Sequence, residues 1–259
     1  MKTLLRIFLF ILILNTNSLY AANDFYPGQV ITGEIKKLGN SLTNILLPSG
    51  EWIVTATKKH NSYNRNVDIV LIKIKDNKLV ALINIGSPRD LSDYGWYEND
   101  VCNDYDDQKS NYHVRDFSKN PMFGWIGYCQ AIYHNNVDHS LWDGYEPAFN
   151  TWEYMEKNNI PYPNIFIHID NFFASKRNMA EIFIAVNPDF AGISSKKGVN
   201  WDDSPWRVYN IKNNDEKKIY IEKAKNVANS IVNSSWKDFE KDRKKYIDLR
   251  WVADLYNTE

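Results

Sequence analysis

Histidine and cysteine are scarce here: five of the first and two of the second in 259 residues. A catalytic zinc site wants two or three converging histidines, and no H-E-x-x-H occurs. Among His60, His113, His134, His139 and His168 the only local grouping is His134 with His139 beside Asp138, five residues apart and without a signature spacing. G-x-S-x-G is missing too. Ser194 with Lys197, and Ser234 with Lys237, satisfy S-x-x-K but lack the S-D-N and K-T-G partners of serine acyl-enzymes. A strong net charge is also absent, at −1 overall. Such a surface offers no field to steer the chain onto nucleic acid or an anionic membrane.

Long apolar runs are confined to the amino terminus. Lys2 and Arg6 form a short basic region, residues 4–14 an apolar one, and residues 15–21 lead to a small residue. This is the pattern of a secretory signal peptide over residues 1–21, cut after Ala21. The run is shorter than the roughly 20 residues of a membrane span, and no cysteine near the junction suggests a lipoprotein. Export to the periplasm or outside the cell is the expectation. The remaining residues, 22–259, keep 29 basic against 32 acidic side chains, a net charge of −3, with no further span. Their length suits a single exported domain.

In an oxidising compartment Cys102 and Cys129 are expected to pair as a disulfide. The bridge would pin a polar stretch, 87–121, that is too long for an ordinary loop. Were they thiols, Cys129 with His113 or His134 would be the pair to consider, and the oxidised form competes with it.

Between these scarcities the chain is rich in alternating strands. Residues 42–47 and 51–59 flank Leu47-Pro48-Ser49-Gly50, a turn signal that predicts a tight hairpin. With residues 29–37, 67–75 and 79–85, the last two joined by Asp76-Asn77-Lys78, it reads as a five-strand meander. Strands follow at 122–134, 164–174 and 179–186. Helices are predicted at 143–159, with Pro147 in its first turn and Asn158-Asn159 at its end, and at 214–243. The second carries the stripe Tyr220, Ala224, Val227, Ala228, Ile231, Ser235 and Phe239. The charge run 237–245 continues that helix, and Trp251 and Tyr256 fold back as a carboxy-terminal staple. The fold class is α+β: a mainly antiparallel sheet of seven or eight strands, two helices covering one face, and one disulfide.

Two groups of side chains suggest chemistry. Asp100, Asp104, Asp106 and Asp107 straddle Cys102, and the last three are weak calcium candidates. Their spacing does not match a calcium loop, so a solvated acidic loop is the plainer reading and no metal or cofactor is expected. Aromatics are plentiful around the irregular stretches. Trp96, Tyr97, Trp142, Trp201 and Trp206, beside Asp and Asn, suit recognition of a glycan or envelope ligand, while core packing competes for the same rings. No catalytic residue is assigned. The competing expectation is a hydrolase of cell-wall or extracellular polymer, with Glu98, Asp104 or Asp106 in acid/base roles.

The segment Leu47-Pro48-Ser49-Gly50-Glu51-Trp52, the cysteine pair, and the later Asn187-Pro188 with Trp201, Ser204 and Trp206 together resemble uncharacterised exported proteobacterial proteins that share an LP-x-G-x-W hairpin and an N-P…W…S-x-W segment. The resemblance spans about a third of the exported part. It carries no activity and no functional residue. It supports an exported, non-catalytic binding or envelope-associated protein.

Overall fold

The computed structural model describes residues 25–36, 38, 43–59, 66–88, 112–119, 127–136, 146–175, 179–196, 203–239, 241 and 245–257. The expected signal peptide, Cys102 and the acidic cluster lie outside them. Eleven strands form two sheets among the described residues. β1 is Val30–Ile31, β2 Glu34–Ile35, β3 Thr43–Leu46, β4 Trp52–Lys59, β5 Asn66–Lys75 and β6 Lys78–Pro88. β7 is Tyr112–Lys119, β8 Gly127–Asn136, β9 Ile165–Ala174, β10 Met179–Val186 and β11 Lys245–Asp248. Helix α1 is Glu146–Lys157, α2 Val208–Ile211 and α3 Asp215–Phe239.

The main sheet has eight strands in the order β1-β4-β5-β6-β10-β9-β8-β7, antiparallel at every pairing. Two meanders build it, β4-β5-β6 and β7-β8-β9-β10, joined where β6 meets β10. The β5–β6 turn is tight because Asp76 and Asn77 both take positive φ, 51° and 56°. That backbone matches the right-handed twist of the flanking strands. Strand β7 lies inside the stretch expected to be irregular, and β8 covers the described part of the strand expected at 122–134.

Three expectations are corrected. First, residues 43–46 and 52–59 are not a hairpin. β3 pairs with β2 and, in parallel, with β11 in a separate three-stranded sheet, whereas β4 pairs with β1 and β5. The Pro48-Ser49-Gly50 turn is a crossing between sheets, held by side chains. The Trp52 indole donates to the Pro48 carbonyl at 2.9 Å, and Lys73 Nζ donates to the Ser49 carbonyl at 2.7 Å. Gly50 accommodates a φ of 94°.

Second, the two long helices cover opposite faces. On α3, Tyr220, Ile221, Ala224, Val227, Ala228, Ile231 and Val232 are buried against Ile69, Ile83, Ile167, Ile169, Ile182 and Ile184. On α1, Trp152 and Met155 pack with Ala56, Val70, Ile72, Leu82, Phe166 and Ala185. Neighbours along a strand point to opposite sides, so Ile69 and Val70, or Ile167 and Phe166, belong to different layers. β9 is buried at all ten positions, as a strand covered on both faces must be. The α3 stripe is the expected one, capped by Asn214 Oδ1, which accepts from the Lys217 amide at 3.0 Å. The helix stops at Phe239, and part of the charge run becomes β11. Tyr256 is buried and Trp251 exposed, so only one of the two closes back on the fold.

Third, the expected Cys102–Cys129 bridge is not seen: no disulfide is found among the described residues, and Cys102 lies outside them. Cys129 is positioned by strand pairing, with β7 on one side and β9 on the other, and is buried beside Phe172, Ala174 and Met179. Backbone hydrogen bonds on both edges of β8 hold this region.

Candidate functional site

Register places polar side chains in adjoining rows on the α1 face of the main sheet. One row runs Asp68, Gly86, Glu181, Phe172 across β5, β6, β10 and β9. The next holds Asn84, Phe183 and Asp170, and a third Ala185, His168 and Tyr133 on β10, β9 and β8.

Gly86 opens the first row. A Cβ there would stand 3.0 Å from Asp68 Oδ1 and 3.9 Å from Glu181 Oε2. The two carboxylates therefore approach one point above the glycine, where any larger residue would intrude. Glu181 is exposed, so solvent reaches this row, while Asp68 is buried.

Asp170 sits one row further in. Its Oδ2 accepts from the Tyr133 hydroxyl at 2.9 Å. Its Oδ1 is buried with no hydrogen-bond partner among the described residues. Burial holds the Asp170 pKa well above the usual carboxylate value; the Tyr133 bond pulls it down and the Glu181 charge pushes it up. A buried carboxyl whose pKa is raised, beside an exposed one, is a pair set in unlike environments.

His168 belongs to the site as an aromatic rather than a base. Its ring stacks on Tyr133 at 4.9 Å and 9°, and lies 4.7 Å from Phe183 and 6.1 Å from Phe166. Burial lowers its pKa to about 3, which keeps it neutral at ordinary pH. Exposed Glu181 can hydrogen-bond hydroxyls and half-buried Tyr133 and Phe183 offer ring surface alongside, while Asp170 and His168 are themselves buried.

A second polar group lies on the α3 face. His134 is next to His113, with Nδ1 and Nε2 at 3.3 Å, and Gln130 Nε2 donates to Asn229 Oδ1 at 2.8 Å. Burial, then the Lys225 charge, lower the His113 pKa to about 4. His134 thus meets His113; His139, its partner in the sequence grouping, lies outside the described residues.

The other expected site residues divide in two. Trp96, Tyr97, Glu98, Asp104, Asp106, Asp107, Trp142 and Trp201 lie outside the described residues. Trp206 is fully buried: its indole donates to the Ser194 carbonyl at 3.2 Å, and Lys217 Nζ lies 5.1 Å above its ring. It is a core side chain and presents no face to a ligand. Asn187 of the N-P segment is likewise architectural, accepting from the Asp189 amide at 3.0 Å and donating to the Leu79 carbonyl at 2.9 Å. Ser234 spends its hydroxyl on the Ile231 carbonyl at 3.1 Å, inside α3.

Sequence reading passed over Asp68, Tyr133, Asp170 and Glu181. The run Ile-His-Ile-Asp at 167–170 carried the available signal, since polar residues two apart inside an apolar strand share one face. Among the described residues no helix is long and apolar enough to cross a membrane, and no group of three or more His, Cys, Asp or Glu could hold a metal ion. No protein-family model, curated protein or solved structure matches the chain.

Proposed function

We propose that the protein is an exported, non-catalytic binding or envelope-associated protein that takes a hydroxyl-rich ligand of the glycan class on the α1 face of its main sheet. The observation that carries this reading is the meeting of Asp68 and Glu181 above Gly86, one row from Asp170 and Tyr133. Carboxyl groups beside ring surface are the chemistry that grips sugars, through hydroxyl hydrogen bonds and the apolar faces of the rings. The amino-terminal leader pattern and the near-neutral charge support an envelope ligand over nucleic acid.

A thermal-shift screen of the purified protein with oligosaccharides and muropeptides tests it, because a ligand that binds only the folded state raises the midpoint. The expected result is a positive shift for at least one glycan, lost in Glu181→Ala and in Gly86→Ala, whose new methyl intrudes between the carboxylates. No shift with any glycan, or the same shift in both variants, would move the ligand elsewhere.

One observation favours a second reading, a hydrolase acting on cell-wall or extracellular polymer. Burial, with the Glu181 charge nearby, holds the Asp170 pKa well above the usual carboxylate value, the direction expected of an acid set beside a base. Release of reducing ends from a glycan polymer, abolished by Asp170→Asn and by Glu181→Gln, would replace binding with catalysis.

A further inference from the structure

On the opposite face, His113 and His134 form a grouping that the carboxyl site does not use. His113 stands where the β7–β8 register shifts, between Tyr112 and Val114. Such an irregularity takes a side chain out of strict alternation and re-aims it. His134 follows Ile132 on the same side of β8, toward α3. The rings are tilted at 39° with centroids 5.4 Å apart, so nitrogen faces nitrogen, not ring face against ring face.

We propose that His113 Nε2 and His134 Nδ1 together bind one divalent transition-metal ion of the zinc class. The separation of 3.3 Å carries the inference. Zinc takes imidazole nitrogens at about 2.0–2.1 Å in tetrahedral geometry, so two of them on one ion stand about 3.3–3.4 Å apart. The two nitrogens already stand at that spacing. A third protein ligand of the His, Cys, Asp or Glu class is absent among the described residues, and the ion keeps water at its remaining positions. Lys225, whose charge reaches His113 from α3, is itself ion-paired with Glu222. The pairing offsets its repulsion of a cation.

The test is calorimetric titration of untagged, chelator-treated protein with zinc. One ion per chain is expected, with affinity falling about tenfold or more in His113→Gln and in His134→Gln. No uptake, or equal uptake by both variants, overturns the proposal. A readout on the unaltered protein guards against variants that misfold: ring-nitrogen spectra of 15N-histidine-labelled material. Zinc should move the His113 and His134 signals and leave His168, on the other face, in place. Movement confined to other histidines would also sink the site.

Discussion

Tyr133 donates its phenolic hydrogen to Asp170 Oδ2 at 2.9 Å, while Oδ1 of the same carboxyl is buried with no hydrogen-bond partner among the described residues. A carboxyl so placed favours its proton. Its raised folded-state pKa contributes stability that is fully present below the ordinary value of 3.8 and is lost as pH rises through the folded value. Asp170→Asn keeps the shape and removes the titration. Urea unfolding from about pH 4 to pH 9 should show the unaltered protein losing stability toward alkaline pH relative to the variant. Parallel curves would mean that Asp170 is ionised throughout.

Tyr133→Phe withdraws the hydroxyl that donates to that carboxyl and is expected to cost about 1–3 kcal/mol, the range for stranding a buried acceptor. Because the Tyr133 bond lowers the Asp170 pKa, its loss should also move the alkaline decline to higher pH. Equilibrium unfolding at two pH values measures both effects.

His168 works in the opposite direction. Its folded-state pKa, about 3, lies below the ordinary 6.5, so its contribution is present above 6.5 and lost as pH falls toward 3. His168→Phe fits the nest of Tyr133, Phe166 and Phe183 by size and cannot charge. Thermal unfolding of the variant should be flatter across that acid window, and an unchanged acid limb would locate the sensitivity at another group.

The crossing between sheets depends on one tryptophan. Trp52 is fully buried, donates to the Pro48 carbonyl, and lies 5.5 Å under Lys73 Nζ. Trp52→Ala should cost about 3–5 kcal/mol, the range for a deleted core aromatic. Lys73→Met, which forfeits a partly exposed hydrogen bond and a ring contact, should cost about 1 kcal/mol. Denaturant midpoints distinguish the two, and equal losses would show that the lysine matters as much as the ring.

Removing residues 245–259 takes away β11 and buried Val252, Leu255 and Tyr256. The Ile45 and Leu46 segment should then exchange its amide hydrogens rapidly while β8, β9 and β10 stay protected. Unchanged protection at β3 would mean that β2 alone sustains the small sheet.

Much of the fold was legible because its signals are local. Alternation in Val67 to Lys75, the Asp76-Asn77 turn and the 3.6-residue stripe from Tyr220 to Ser235 each depend on a few neighbouring residues. The site was harder to see. Asp68, Tyr133, Asp170 and Glu181 come from four strands, and only pairing register makes them neighbours.

The sequence by itself determined an α+β chain with an antiparallel sheet, two long helices, and no recognisable nucleophile or metal motif. Periodicity and side-chain chemistry are properties of the chain alone, and they suffice for that much. Tertiary structure decided that β3 leaves β4 for β11, that the helices take opposite faces, that Trp206 is core, and that carboxyls gather above Gly86. Those outcomes depend on which distant strand satisfies each backbone edge and which layer receives each apolar face. That choice is settled by the free energy of the assembled whole, not by any window of residues.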